Sequence, residues 1–206
     1  PGSVVHCHPM SNSSHPGLLL VLSGPSGVGK TTIAHRLLDR FEGVFSVSAT
    51  TRPRGQNEHD GEDYLFVTNQ RFDELQKQGA FLESAEVFGK HAYGTLRQPV
   101  EDQLVEGKLV ILDIDVQGAV QVRETMPGAF MLFILPPSDE ELRRRLESRG
   151  RDEPEAIERR FAEAQHEIKQ AMTRDLYDAF VTNVDLDQAV EEACKLVDAR
   201  RESLQQ

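Results

Sequence analysis

The run Gly24-Pro25-Ser26-Gly27-Val28-Gly29-Lys30-Thr31 carries the most specific chemistry in this chain. Glycines at this spacing let successive backbone N–H groups curl around phosphate oxygens, and a helix starting where the loop ends adds the positive end of its dipole. Lys30 would hold the β- and γ-phosphates of a nucleoside triphosphate, Thr31 would offer its hydroxyl to Mg²⁺, and Thr32 continues the loop into the helix. Asp113, closing an apolar run, is placed like the acidic group that orients metal-bound water. A glycine-rich turn with a surface lysine would account for the composition. It would not account for the apolar run directly before or the amphipathic pattern directly after. The loop implies Mg²⁺ with a triphosphate, and leaves the acceptor of the phosphate open.

A second cluster is cationic: Arg143, Arg144, Arg145, Arg149 and Arg151, with Arg159 and Arg160 further on. Arg145 and Arg149 are four apart and share a helix face. The plain explanation is a solvated helix paired with Glu140, Glu141 and Glu147. The functional one is that donor and acceptor phosphates must approach each other. Two unit charges 4 Å apart repel by roughly 4 kcal/mol at an effective dielectric of 20, so cations are needed around the transferred group.

The elements that must position these residues read as alternating strands and helices. Leu18 to Ser23, Leu109 to Ile114 and Phe130 to Leu135 are continuous apolar runs, as strands buried on both faces require. Ile33, Leu37, Leu38 and Phe41 recur at helical spacing after the loop. Ser138 with Glu141 predicts a capping box opening a helix through Leu142 and Leu146. Ile157, Phe161, Ala164, Ile168 and Met172 form another apolar stripe, and Leu186, Val190, Ala193 and Val197 a last one after a short strand over Ala179 to Asn183. This alternation predicts an α/β fold, a parallel sheet with helices on both faces. The stretch 45–94 reads differently, with β segments at Phe45–Thr51, Tyr64–Val67 and Phe81–Phe88 around one helical segment, Arg71–Lys77. It predicts a small mixed insertion near the carboxyl ends of the parallel strands. The core is then 17–44 and 95–206, and residues 1–16 form a flexible tail.

At 206 residues and 38% hydrophobic, the chain can bury a sizeable core. A net charge of -11 argues against nucleic acid or anionic lipid as partner. No apolar run approaches the roughly 18 residues that span a bilayer, and no basic region precedes an apolar stretch as in a secretory signal. Cys7 and Cys194 lie in the tail and in a helical pattern and read as reduced thiols, so the expected location is the cytoplasm. His6, Cys7, His8 and His15 in the tail could bind a metal, but without a folded context they are set aside. His35, His59, His91 and His166 lack ligand spacing and read as surface residues. A GTPase would want Asn-Lys-x-Asp, and Thr182-Asn183-Val184-Asp185 lacks the lysine. A helicase or transport ATPase would want a longer chain.

Several segments together resemble the guanylate kinases, nucleoside monophosphate kinases that move phosphate from ATP to GMP. They are GPSGVGKTT (24–32), FSVSATTR (45–52), GEDYLF (61–66), FLESAEVFG (81–89), YGT (93–95), ILDIDVQGA (111–119), LESRG (146–150) and Asn183 at a strand end. The resemblance runs from about Leu18 to Leu204. It implies a P-loop core with a GMP-binding insertion and a helical lid at about 142–160, with GMP and dGMP as acceptors. By this resemblance Ser48, Glu83 and Asp115 match the guanine-side contacts, and Arg52, Tyr64, Tyr93 and Thr95 the groups that hold the GMP phosphate. Gly24 to Thr32 would cradle ATP, with Asn183 near its adenine. Lys30, Arg145, Arg149 and Arg160 would surround the transferring phosphoryl. A carboxylate at Glu83 can accept from both N1–H and the exocyclic amine of guanine, whereas adenine presents an acceptor at N1.

Two departures stand out. The family's Arg-x-x-Arg-x-Gly-Glu run is here Arg52-Pro53-Arg54-Gly55-Gln56-Asn57-Glu58, so Arg54 comes one position early. It reaches the same phosphate by another loop path or leaves that contact weakened. The turn Gly89-Lys90-His91-Ala92 before Tyr93 is one residue longer than usual. Other readings remain: a kinase for another nucleoside monophosphate, or a non-catalytic guanylate-kinase-like interaction module. Self-association is left open.

Overall fold

This computed structural model describes residues 16–87, 89–148 and 153–205, so the tail histidines, Cys7, Arg149 and Arg151 lie outside the described residues. In chain order, β1 (Leu18–Ser23), α1 (Lys30–Phe41) and β2 (Val44–Phe45) open the core. A smaller unit follows with β3 (Ser48–Thr50), β4 (Leu65–Phe66), α2 (Asn69–Lys77), β5 (Phe81–Val87) and β6 (His91–Leu96). The chain then returns through α3 (Arg97–Val105), β7 (Leu109–Asp113), α4 (Val116–Thr125), β8 (Phe130–Leu135), α5 (Asp139–Glu147), α6 (Pro154–Thr173), β9 (Ala179–Thr182) and α7 (Leu186–Ser203).

The core sheet is parallel with order β2-β7-β1-β8-β9. Its alternating side chains feed two separate cores, which is why the central strands are apolar at every position. Leu18, Leu20 and Leu22 meet α1 and α7 on one face. Leu19 and Val21 meet α3, α4 and the end of α6 on the other. The expected α/β architecture, a parallel sheet flanked by helices, is what forms.

The smaller sheet has order β4-β3-β6-β5, with β3–β4 parallel and the other pairs antiparallel. The β segment expected over Phe45–Thr51 is divided between two sheets. Phe45 pairs with Ile111 in the core, whereas Ser48 pairs with Thr95 in the smaller sheet. The chain changes sheets between them, a step that periodicity does not encode. The sequence reading also has no strand at β6 and no helix at α3. Gly94 interrupts the β pattern of the first. In the second only Val100 is buried, and Pro99 sits in the first turn, where no N–H is required of it. Met172, expected in the apolar stripe of α6, is 61% exposed; Ala171 takes the buried position instead.

A glutamine fastens the smaller sheet to the core. Gln121 on α4 accepts from Ser84 N at 3.1 Å and donates to Ser84 O at 3.1 Å, so its amide acts as a further strand partner for β5. Thr125 Oγ1 adds a bond to Leu82 O at 2.8 Å. Gln121→Ala leaves both Ser84 groups without these partners. It is expected to lower unfolding free energy by about 1–3 kcal/mol. Urea denaturation and faster hydrogen exchange at the Ser84 amide would record it.

Candidate active site

The phosphate loop is a turn that only glycine tolerates at two points. Gly29, the N-cap of α1, has φ 98°, and a Cβ there would lie 2.6 Å from Asn183 Nδ2. Gly24 has φ 147°, and a Cβ would lie 2.5 Å from the Ile134 carbonyl oxygen of β8. Asn183 follows β9, is 5% exposed, and donates to Val28 O at 2.7 Å. The residue expected near adenine thus has its amide committed to holding the loop, and Val28 itself is fully buried.

Lys30 Nζ donates to Gly24 O at 2.5 Å and lies 3.9 Å from Asp113 Oδ1. Thr31 Oγ1 donates to Asp113 Oδ2 at 3.4 Å. Burial raises Asp113 above the ordinary aspartate range, while Lys30 and Thr31 act against that rise. A hydroxyl and a desolvated carboxylate meeting at the end of β7 are hard oxygen donors of the kind Mg²⁺ prefers, so these residues fit the ion.

The arginine cluster divides in two. Arg143 pairs with Glu158 and lies over Phe161, 4.4 Å to the ring centroid, tying α5 to α6. Arg144 binds Glu141 through two bonds of 2.7 Å. Arg145 turns inward instead, donating to Glu141 Oε1 at 2.7 Å and to Asn183 O at 3.0 Å. Arg160 on α6 donates to Ser26 Oγ at 2.6 Å, directly on the loop. Ser138 caps α5 as the sequence predicts, accepting from Glu141 N. The Glu141 carboxylate, however, serves Arg144 and Arg145, which hold it at about pKa 2. Leu142, Leu146 and Ala164 give the α5–α6 pair a core of its own, with Leu146 against Gly27.

On the smaller sheet, a β-bulge between Phe81 and Glu83 breaks the strict alternation of β5. Phe81 packs against Phe72 in the smaller core, Leu82 joins the core around α4, and Glu83 Oε2 lies 3.4 Å from where a Gly118 Cβ would stand. Glu83 is not an exposed edge glutamate: it is 8% exposed. Its Oε1 accepts from Thr95 N at 3.0 Å and Thr95 Oγ1 at 2.6 Å. Burial pushes Glu83 above the usual carboxylate range; the Thr95 bonds pull it back and Asp115 raises it further. Asp115 caps α4, accepting from Gly118 N at 2.8 Å.

Arg52 makes a two-pronged pair with Glu58 at 2.6 and 2.9 Å, which raises Arg52 and lowers Glu58 from their ordinary values. Its guanidinium lies 5.4 Å from the Tyr64 ring centroid, and the Tyr64 and Tyr93 rings are 5.9 Å apart. Glu58 also accepts from Gly55 N at 2.7 Å, bracing the loop in which Arg54 is exposed. A cleft of about 550 Å³ runs between the two units, with Thr31 and Asp113 on one wall and Ser48, Tyr64 and Thr95 on the other.

Comparison with known proteins places the chain in a family. Residues 17–200 match the guanylate kinase family model. The guanylate kinase of Alkalilimnicola ehrlichii is 51% identical over 92% of this chain and 92% of its own length. A guanylate kinase of Thermus thermophilus is 45% identical over 90% of this chain and 82% of its own. This chain belongs to the guanylate kinase family. A crystal structure of guanylate kinase from Anaplasma phagocytophilum superposes with a TM-score of 0.68 at 36% identity, covering 91% of this chain and 87% of that one.

Two residues of this family member that sequence reasoning left without a role now have contacts: Glu58 and Gln121. Glu58 stood within a quoted motif; nothing in the local sequence marked Gln121. The buried Asn183 yields a test. Asn183→Ala strands the Val28 carbonyl and is expected to cost about 1–3 kcal/mol in stability. Loosening the loop should also weaken triphosphate binding, measurable by calorimetry on the folded variant.

Proposed function

We propose that this chain transfers the γ-phosphoryl group of ATP to GMP or dGMP, giving ADP and the nucleoside diphosphate, in the cytoplasm. The carrying observation is the cleft itself. One wall presents Thr31 and Asp113, the latter 3.9 Å from Lys30 at the end of the phosphate loop, and the other presents Ser48, Tyr64 and Thr95, the last bonded to buried Glu83.

Glu83 and Ser48 would receive the guanine edge, with Asp115 beside them, and Arg52, Tyr64 and Tyr93 the acceptor phosphate, with Arg54 reaching it from the exposed loop. Arginine suits that task because its planar fork pairs two ways with phosphate oxygens. In the transfer, an acceptor phosphate oxygen bonds to the γ-phosphorus as the bond from that phosphorus to the β,γ-bridging oxygen breaks, and ADP leaves with the electron pair. The acceptor is already ionised near neutral pH, so no side chain has to remove a proton. Lys30, Arg145 and Arg160, with Arg149 from the lid, would neutralise the charge that spreads over the γ-oxygens. Mg²⁺, held through Thr31 and by water on Asp113, would neutralise phosphate charge and orient the triphosphate. Closure of the α5–α6 pair would exclude water, which otherwise competes as acceptor.

ADP release measured with GMP, dGMP, AMP, CMP and UMP tests the reading; absence of GMP-dependent turnover with ATP and Mg²⁺ would overturn it, and so would equal use of all five acceptors. Lys30→Ala is expected to lose transfer while keeping its circular dichroism and melting profile. Glu83→Gln should reduce kcat/KM for GMP by about 5- to 150-fold, from about 1–3 kcal/mol of lost recognition. Because burial raises Glu83 and guanine needs its ionised form, KM for GMP should climb as pH falls through the acidic range in the wild type. In Glu83→Gln the part of that climb due to this carboxyl should disappear, leaving only the part set by protonation of the acceptor phosphate.

A further inference from the structure

Helix α6 carries a second charged group on the face that bears Arg160. Glu167 is seven residues, two helical turns, beyond Arg160, so both side chains leave the same side of the helix. Arg160 ends on Ser26 of the phosphate loop. Glu167 ends in a hollow of about 210 Å³ between α6 and the start of α4, lined by Asp115, Gln117, Glu163, His166 and Gln170. The seam there is loosely bonded: Gln117 Nε2 donates to Gln170 Oε1 at 3.4 Å, and Gln170 in turn meets His166 at 2.8 Å.

The groups that act on Glu167 come from each neighbouring element. Lys30 acts on it from the start of α1, Asp115 from the cap of α4 and Glu163 from its own helix, while His166 lines the same hollow. Tyr177, 8% exposed, senses both Asp115 and Glu167 from beyond the end of α6, and Ser23 and Arg174 also act on it. Burial pushes Glu167 up to about 7; Asp115 and Glu163 add to the rise and Lys30 opposes it. Among the described residues, no group of three or more His, Cys, Asp or Glu side chains is arranged to hold a metal ion, so this acidic seam is not a cation site.

Ionised, Glu167 would attract Lys30, the cation a triphosphate needs, and repel both Asp115 across the seam and the incoming phosphates. Neutral, it would do none of these. We propose that Glu167 is a positioning residue for the transfer: it takes a proton from solvent as the triphosphate binds, which leaves Lys30 to the phosphates and lets α6 settle against α4. The proposal rests on the kinase reading for its ligand. Its test does not require turnover, so the two can fail separately. By linkage, a ligand that favours the protonated form must bind with proton uptake, and its affinity must fall as pH rises.

The decisive measurement is calorimetric titration of the full chain with the Mg²⁺ complex of β,γ-imido-ATP at about pH 7.5, in two buffers of different ionisation heat. The wild type should take up a substantial fraction of a proton per nucleotide, and Glu167→Gln essentially none. In turnover assays, KM for ATP should rise by up to about tenfold per pH unit above neutrality in the wild type, with kcat little changed. Glu167→Gln should flatten that rise, and Glu167→Asp should restore it. Absence of proton uptake in the wild type would overturn the proposal whatever the variants do. Equal uptake in the wild type and a folded Glu167→Gln would overturn it too.

Discussion

Cations gathered around one cleft must be balanced within the protein itself, and that balance organises the site. Lys30 rests on the Gly24 carbonyl, beside Asp113. Arg52 rests on Glu58, and Arg145 on Glu141 and the Asn183 carbonyl. Each of these acceptors offers an oxygen where a phosphate would offer another, so nucleotide binding becomes an exchange of partners and not the filling of a bare cationic patch. The acceptors also set geometry. Glu58 fixes the arginine fork beside Tyr64, and Glu141, the third residue of its own helix, aims Arg145 back towards the loop. A protein with net charge -11 can therefore hold a local cationic centre.

The phosphate loop depends on the same economy of contacts. Its glycines provide the φ values, yet its shape is held from outside: Asn183 takes the Val28 carbonyl, Ile134 backs Gly24, and Leu146 backs Gly27. These come from the ends of β8 and β9 and from α5, elements more than 100 residues away in sequence. The parallel order of the core sheet brings their carboxyl ends together, which is where open α/β sheets bind ligands.

The opposite wall is built by an irregularity. Regular alternation would send Leu82 and Glu83 to opposite faces of β5. The bulge lets Leu82 enter the core around α4 while Glu83 stays buried beside Thr95 and Gly118. Thr95 then supplies two donors to one carboxylate oxygen, which makes burying a charged group tolerable. The other oxygen faces the start of α4, where Asp115 adds further negative charge. The region between the two units is thus polar, tightly contacted and sensitive to protonation.

The local chain determined what local physics can determine. Glycine spacing, apolar runs and the Ser138 cap specified the phosphate loop, the buried strands and most helices, because φ, burial on both faces and capping are properties of neighbouring residues. The arginines were visible as a group, but their division into Arg143 and Arg144, which secure α5 and α6, Arg145, which reaches Asn183 behind the loop, and Arg160, which reaches the loop itself, was not. The change of sheet after Phe45, the strand β6 and the exposure of Met172 were equally hidden, since each depends on which surface the fold presents. Asn183 could be read from a motif only as a residue near adenine; its bond to Val28 exists because β9 ends beside the loop. The same holds for Gln121 and Glu167, ordinary helix residues until packing places a strand edge against one and the acidic start of α4 against the other. Sequence set the chemistry available, and long-range packing decided which groups meet, because the energies that select partners arise only when distant segments exclude water between them.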